Sequence, residues 1–317
     1  MIAQELETRE TLRTAPAFRR ILIAVDFSDC SRRALRCAIP LTAGGAEHIF
    51  AVHVLKADWR YEVLDSPPEL GLEEMDAWRR LHSMTDELGP QKNLETVLLQ
   101  HGPVAQALLS FAGRTDTDLI ILGTRGRGGV QKLALGSVAE ELLRRAPCPV
   151  LTLGPRGVVP KGVPEVHTIL FATDFGRGSA KALPLVLKLA ALHGAKLILL
   201  HTTPPMPATS TNLSAYAPGT IAADELCQWE VASRMRSLQR LKQWMPQNTG
   251  LQQEPEYIVG TNFLTEGILT AAAERKADLI VMGANQQGSA RLAAHSPWTA
   301  VHEVLHDAPC PVLTVAG

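Results

Sequence analysis

The feature that most constrains this 317-residue chain is an internal repeat. Ile21-Leu22-Ile23-Ala24-Val25-Asp26-Phe27-Ser28 returns as Ile169-Leu170-Phe171-Ala172-Thr173-Asp174-Phe175-Gly176, and 8 of the 15 positions in 21–35 match their partners in 169–183. His53 and His201 keep the same offset of 148. Asp118-Leu119-Ile120-Ile121-Leu122-Gly123 matches Asp278-Leu279-Ile280-Val281-Met282-Gly283, and Ala146-Pro147-Cys148-Pro149-Val150-Leu151-Thr152 recurs unchanged at 308–314. Four anchors in one order mean that a single supersecondary unit has been used twice.

Each copy reads as strands alternating with helices. In the first copy, strands are predicted over 20–25, 48–55, 94–100, 119–122 and from 149. Helices are predicted over 31–43, 69–88, from Pro103 and from Ser137. The helical assignments rest on apolar spacing, as at Leu70, Met75, Trp78, Leu81 and Leu88, and on a glycine stop at Gly44-Gly45. The second copy follows the same plan, with a Pro-, Thr- and Ala-rich insert at 203–224 and a helix over 224–244. Such alternation implies an α/β fold, a parallel sheet with helices on both faces. The expected division is an extension at 1–18, a first domain at 19–154, a linker at 155–165 and a second domain at 166–317.

Composition excludes several alternatives. A net charge of -1 argues against a duplex nucleic-acid binder. The most apolar stretch, 183–200, is broken by Lys188, His193, Gly194 and Lys196, so no membrane span is expected. The first ten residues lack the basic start and apolar core of a secretory signal. Five cysteines without a C-x-x-C pair read as free thiols. A cytoplasmic location is expected.

The chemistry concentrates in one loop. Gly123-x-x-Gly126 is followed by nine residues and then Gly136-Ser137. The run starts where a strand ends and finishes where a helix begins. Glycine lets backbone approach an anion closely. Successive loop amides form a nest of donors, and a helix N-terminus favours negative charge. Arg125, Arg127 and Lys132 make the loop basic. The pattern points to phosphate; the plainer alternative is a glycine turn capped by serine. Asp26, at the end of the first strand, has two readings, a ligand for ribose or adenine and a helix cap. Asp174 holds the same position in the second copy.

The Ile-Leu-Ile-Ala-Val-Asp-Phe-Ser opening, the G-x2-G-x9-G-S loop and the Pro-Cys-Pro-Val-Leu ending resemble the universal stress protein family, in a tandem form spanning nearly the whole chain after residue 18. The resemblance implies two five-stranded open parallel sheets of order 3-2-1-4-5, related by a pseudo-two-fold axis. Their last strands would pair within the chain, and two chains could form a homodimer. It implies that Ala24, Val25 and Asp26 border an adenosine, that the backbone at Val54 contacts adenine, and that Gly123, Arg125, Gly126, Gly136, Ser137 and Val138 hold ribose and phosphates. The ligand would be ATP, with or without Mg²⁺, or another adenine nucleotide, and the role stress sensing or regulation. A slow Mg²⁺-dependent ATPase and a nucleotide-free interaction scaffold are the alternatives.

The second copy departs from this pattern. Gln286 stands in the place of Gly126, and either Ser296-Pro297 or Trp298-Thr299 replaces Gly-Ser, so weak or no ATP binding is expected there. His302-Glu303-Val304-Leu305-His306 matches H-E-x-x-H, but no later His or Glu can complete a zinc site. His53 and His201 are expected to be structural. Cys30, Cys37, Cys148 and Cys310 are expected to be packed thiols.

Overall fold

The computed structural model describes residues 16–41, 45–55, 70–89, 93–100, 102–124, 135–158, 165–203, 223–260, 263–284 and 297–317. The first copy contains β1 (Arg20–Ala24), α1 (Asp29–Leu41), β2 (His48–Val54), α2 (Leu70–Asp86), β3 (Leu94–Leu99), α3 (Val104–Arg114), β4 (Leu119–Gly123), α4 (Ser137–Arg145) and β5 (Val150–Leu153). The second contains β6 (Thr168–Ala172), α5 (Arg177–His193), β7 (Lys196–Thr202), α6 (Ala223–Trp244), β8 (Glu256–Gly260), α7 (Leu264–Glu274), β9 (Leu279–Ala284), α8 (Pro297–Asp307) and β10 (Val312–Ala316). The first helix starts two residues earlier than its apolar spacing suggests. Ser28 caps it, its Oγ accepting the Ser31 N–H at 3.1 Å.

The strands form one sheet in the order β3-β2-β1-β4-β5-β10-β9-β6-β7-β8. Within each copy the pairings are parallel and follow the expected 3-2-1-4-5 order. The central strands carry near-continuous apolar runs because both faces are covered. Ile21, Leu22, Ile23, Leu119, Ile120 and Ile121 are all fully buried. One face packs against side chains of α1, α2, α5 and α6, including Leu35, Leu81, Leu189 and Leu241. The other packs against α3, α4, α7 and α8, including Leu108, Leu142, Ile268 and Val304.

The two halves meet through β5 and β10, which pair antiparallel with Leu151 opposite Leu313. Buried hydroxyls reinforce the ladder reciprocally. Thr152 Oγ1 donates to Val312 O at 3.3 Å, and Thr314 Oγ1 donates to Val150 O at 3.1 Å. This reciprocity is what a two-fold axis through the joint demands, and it keeps equivalent helices on the same face. The joint has a measurable signature. Leu151→Ala and Leu313→Ala should each cost about 2–5 kcal/mol of stability. As opposed residues they should couple, so the double variant departs from additivity by at least about 0.5 kcal/mol in urea unfolding; strict additivity would refute the contact.

Candidate functional site

The order reversal between β1 and β4 opens a crevice at the carboxyl ends of these strands, the place where open α/β sheets bind ligands. Ala24 and Leu122 are register partners there. Val25 is buried, and its N–H donates to Val52 O at 2.8 Å, a backbone bond tying the end of β1 to β2. Val54 lies beyond that bond, on β2 paired with Leu99 of β3.

Asp26 holds the turn that follows β1. Its Oδ1 accepts the Ser28 N–H at 3.0 Å and the Ser28 hydroxyl at 2.6 Å. Asp174 does the same work in the second copy, accepting the Gly176 N–H and the Ser179 hydroxyl, both at 2.7 Å. Both aspartates therefore hold the turn that leads into the helix and are not its side-chain cap: Ser28 caps α1, and Gly176, the N-cap of α5, has no side-chain cap bond. In Asp26 both bonds go to one carboxylate oxygen.

Gly123 is required by packing. A Cβ at this position would stand 2.7 Å from the Cβ of Cys30 and 2.8 Å from its carbonyl carbon, so a side chain would drive the first turn of α1 off the sheet. Gly283 meets the same constraint against Gly178 and the Ser179 amide nitrogen. This explains why the glycine persists in the second copy although the loop that follows does not keep the phosphate pattern.

The loop after β4 leaves and returns at one point. Gly136 N donates to Thr124 O at 3.0 Å, while buried Thr124 is itself held by Leu153 O through both its amide and its hydroxyl. Gly136 is the N-cap of α4, and no side chain caps that helix. Ser137, the first helical residue, is exposed, and Val138 is partly buried. Arg125 and Gly126 lie outside the described residues, as do Arg127, Lys132, Gln286 and Ser296. Ala24, Val25, Asp26, Gly123, Gly136, Ser137 and Val138 thus lie on the segments that frame one crevice, with Val54 on its β2 side.

A cluster not anticipated from the sequence stands beside this crevice. Phe27 has a left-handed backbone, φ 62, unusual for a bulky residue. Its ring packs on His53 with centroids 4.2 Å apart, and the Arg80 guanidinium of α2 lies over the Phe27 ring, 4.4 Å from its centroid. His53 Nδ1 donates to Val25 O at 2.7 Å, which fixes the tautomer because a carbonyl only accepts. The second copy repeats the arrangement with Phe175 at φ 60, His201 bonded to Thr173 O at 2.8 Å, and Arg240 at 4.1 Å from the Phe175 ring. The matched offset of the two histidines and of the two phenylalanines was the available signal. The arginines sit on the inserted helices, where alignment of the copies is weak.

The H-E-x-x-H residues are engaged elsewhere. Glu303 accepts the Thr265 hydroxyl at 2.7 Å, and His306 Nδ1 pairs with Asp307 at 2.7 Å. Among the described residues no cluster of three or more His, Cys, Asp or Glu could hold a metal ion. Burial pushes the thiols of Cys37, Cys148 and Cys310 up to about 12, so they are protonated at neutral pH and poor nucleophiles. None of the described helices is long and apolar enough to cross a membrane.

The universal stress protein family model matches residues 17–153 and again 165–316. The chain belongs to the universal stress protein family. A universal stress protein from Methanocaldococcus jannaschii is 32% identical over 145 residues, covering 43% of this chain and 82% of the relative. One from Thermus aquaticus is 32% identical over 136 residues, covering 42% of this chain and 97% of the relative. The crystal structure of a universal stress protein from Archaeoglobus fulgidus superposes over 96% of this chain and 98% of its own with a TM-score of 0.60 at 18% identity. Single-unit relatives thus match about half of this universal stress protein, whereas that structure matches its whole tandem fold.

Two predictions follow from this geometry. Gly283→Ala should lower stability by about 1–3 kcal/mol in urea unfolding, because backbone of α5 must move; an unchanged midpoint would refute the close approach. Burial holds the pKa of His53, His193 and His302 below the usual histidine value of 6.5. The unfolded chain therefore binds protons first, and stability should fall as pH drops below about 6.5. The melting temperature measured from pH 7.5 to 5 should decline, with a shallower slope in His53→Gln.

Proposed function

We propose that the first copy binds ATP or another adenine nucleotide in the crevice between the ends of β1 and β4, and that occupancy serves sensing or regulation in a stress response. The observation that carries this reading is the hydrogen bond from Gly136 N to Thr124 O. It brings both ends of the glycine loop together at the top of β4 and sets the start of α4 beside them. The N-cap there is a glycine without a side-chain cap bond, so the first-turn N–H groups suit an anion. A capping carboxylate at that spot would repel phosphate, and the residues present therefore fit the group.

In this reading, Gly123, Arg125, Gly126, Gly136, Ser137 and Val138 hold ribose and phosphates, Ala24 and Val25 border the adenosine, and the backbone at Val54 meets adenine. Asp26 reaches the ribose through the carboxylate oxygen that the Ser28 turn does not use. Bound nucleotide, with or without Mg²⁺, supplies a concentrated negative charge that orders the Gly123 to Gly136 loop and changes the surface offered to a partner. The domain acting this way spans 19–154, and the linker 155–165 joins it to the second domain at 166–317. The second copy, with Gln286 in place of the loop glycine, does not take part.

Calorimetric titration of the full chain with ATP tests the reading. One site per chain is expected, with Gly136→Val weakening binding at least about tenfold, equivalent to 1.4 kcal/mol, alongside a modest fall in melting temperature because its Cβ would stand 3.2 Å from Thr124 O at the N-cap of α4. Two equal sites would refute the asymmetry, and no binding at millimolar ATP would refute the nucleotide reading. Fast protein-dependent ATP turnover would replace it with an enzyme.

A further inference from the structure

A cavity of about 250 Å³ lies away from the β1–β4 crevice, where the first copy meets the base of the second. Cys37 and Leu41 of α1 and Leu151 of β5 form its wall from the first copy. Leu279 at the start of β9 and Cys310, set between Pro309 and Pro311, close it from the second. Val158 of the connector and Val166, the first residue of the second domain, complete it. Val158 is tied down there, its N–H donating to Pro309 O at 2.9 Å. Charges stand only among the rim residues and carry both signs, Glu165 against Lys276. The third charged residue, Asp278, is committed through Oδ2 to the amides of His167 and Thr168, both at 2.9 Å.

The repeat shows how the space arises. The residue 148 positions after Cys37 is Leu185, and the residue 148 positions before Val166 is Phe18. Two of the lining positions therefore carry markedly smaller side chains than their counterparts in the other copy, and Phe18 is itself buried in the core. Interiors are otherwise close-packed, so smaller side chains at these positions leave space beneath the rim. The substitutions leave this joint open on one side of a pseudo-symmetric molecule.

We infer that this cavity is a binding site for a small, uncharged aromatic molecule. An apolar cavity of about 150 Å³ accepts benzene, so the larger space here suits a fused two-ring compound. The two cysteines present small, polarizable apolar groups, and the flanking prolines offer flat apolar surface. The mixed-sign rim disfavours a net charge of either sign. Recognition is non-covalent, because Cys37 and Cys310 are protonated thiols. The site lies across the joint, so a ligand there would bear on how the two copies pack. It stands independently of the nucleotide reading.

The test uses the full chain and indole as the probe, followed by calorimetry and by thermal melting. Saturable binding at one site per chain is expected, unaffected by ATP. The double variant Cys37→Leu/Val166→Phe, which installs the side chains of the other copy, should bind indole at least tenfold more weakly and melt higher in the absence of probe. Should the pair of changes prevent folding, Cys37→Leu alone carries the same comparison. Absence of saturable indole binding would overturn the site, as would undiminished binding in the filled variant.

Discussion

The contact between the last residue of β4 and the first turn of α1 governs both the fold and the candidate site. The helix after β1 must cross the sheet close to β4, and only a residue without a Cβ allows Cys30 to sit where it does. Once that approach is made, β1 and β4 end side by side, and the chain must diverge from both ends to form a crevice. The same approach is made by Gly283 against Gly178 and Ser179. One packing constraint, met twice, positions everything that surrounds the crevice in each half.

On this common scaffold the two copies diverge in what they attach to it. Both retain the aspartate-held turn, the left-handed phenylalanine and the histidine that clamps the carbonyl before it. These parts are structural, since they recur irrespective of the loop. The loop pattern itself, G-x2-G-x9-G-S, is found only in the first copy. The joint between β5 and β10 buries Leu151 and Leu313 and leaves one sheet instead of two. It also lets small side chains in one copy open space against the other. Asymmetry thus enters at two separate places, a loop and an interface, without disturbing the shared core.

Much of the fold was legible because its signals are local. The runs Ile21 to Ile23 and Leu119 to Leu122 read as buried strands from composition alone, and repetition made the assignment secure. Helix boundaries were legible to within about two residues. Ser28 rather than apolar spacing decided the start of α1, since a cap acts through one hydroxyl that periodicity does not register. The candidate site was less legible. Asp26 allowed two readings from its position, and only its bonds to Ser28 revealed that it holds the turn ahead of the cap. Gly123 was read as a phosphate residue, yet its environment shows a steric duty toward Cys30, a residue more than ninety positions away. Arg80 and Arg240 were missed because they come from inserted helices with little resemblance to each other.

The sequence by itself determined that one α/β unit occurs twice, that the strands alternate with helices and that the second loop has lost its glycine. These are properties of neighbouring residues and of their repetition, and they survive without coordinates. Only the tertiary structure decided that Thr124 and Gly136 close the base of the loop, that Phe27 packs against both His53 and Arg80, and that Cys37 and Cys310 border one cavity. Each of those facts joins residues far apart in the chain. Their distances depend on how helices settle against the sheet, and that is set by steric fit across the whole core.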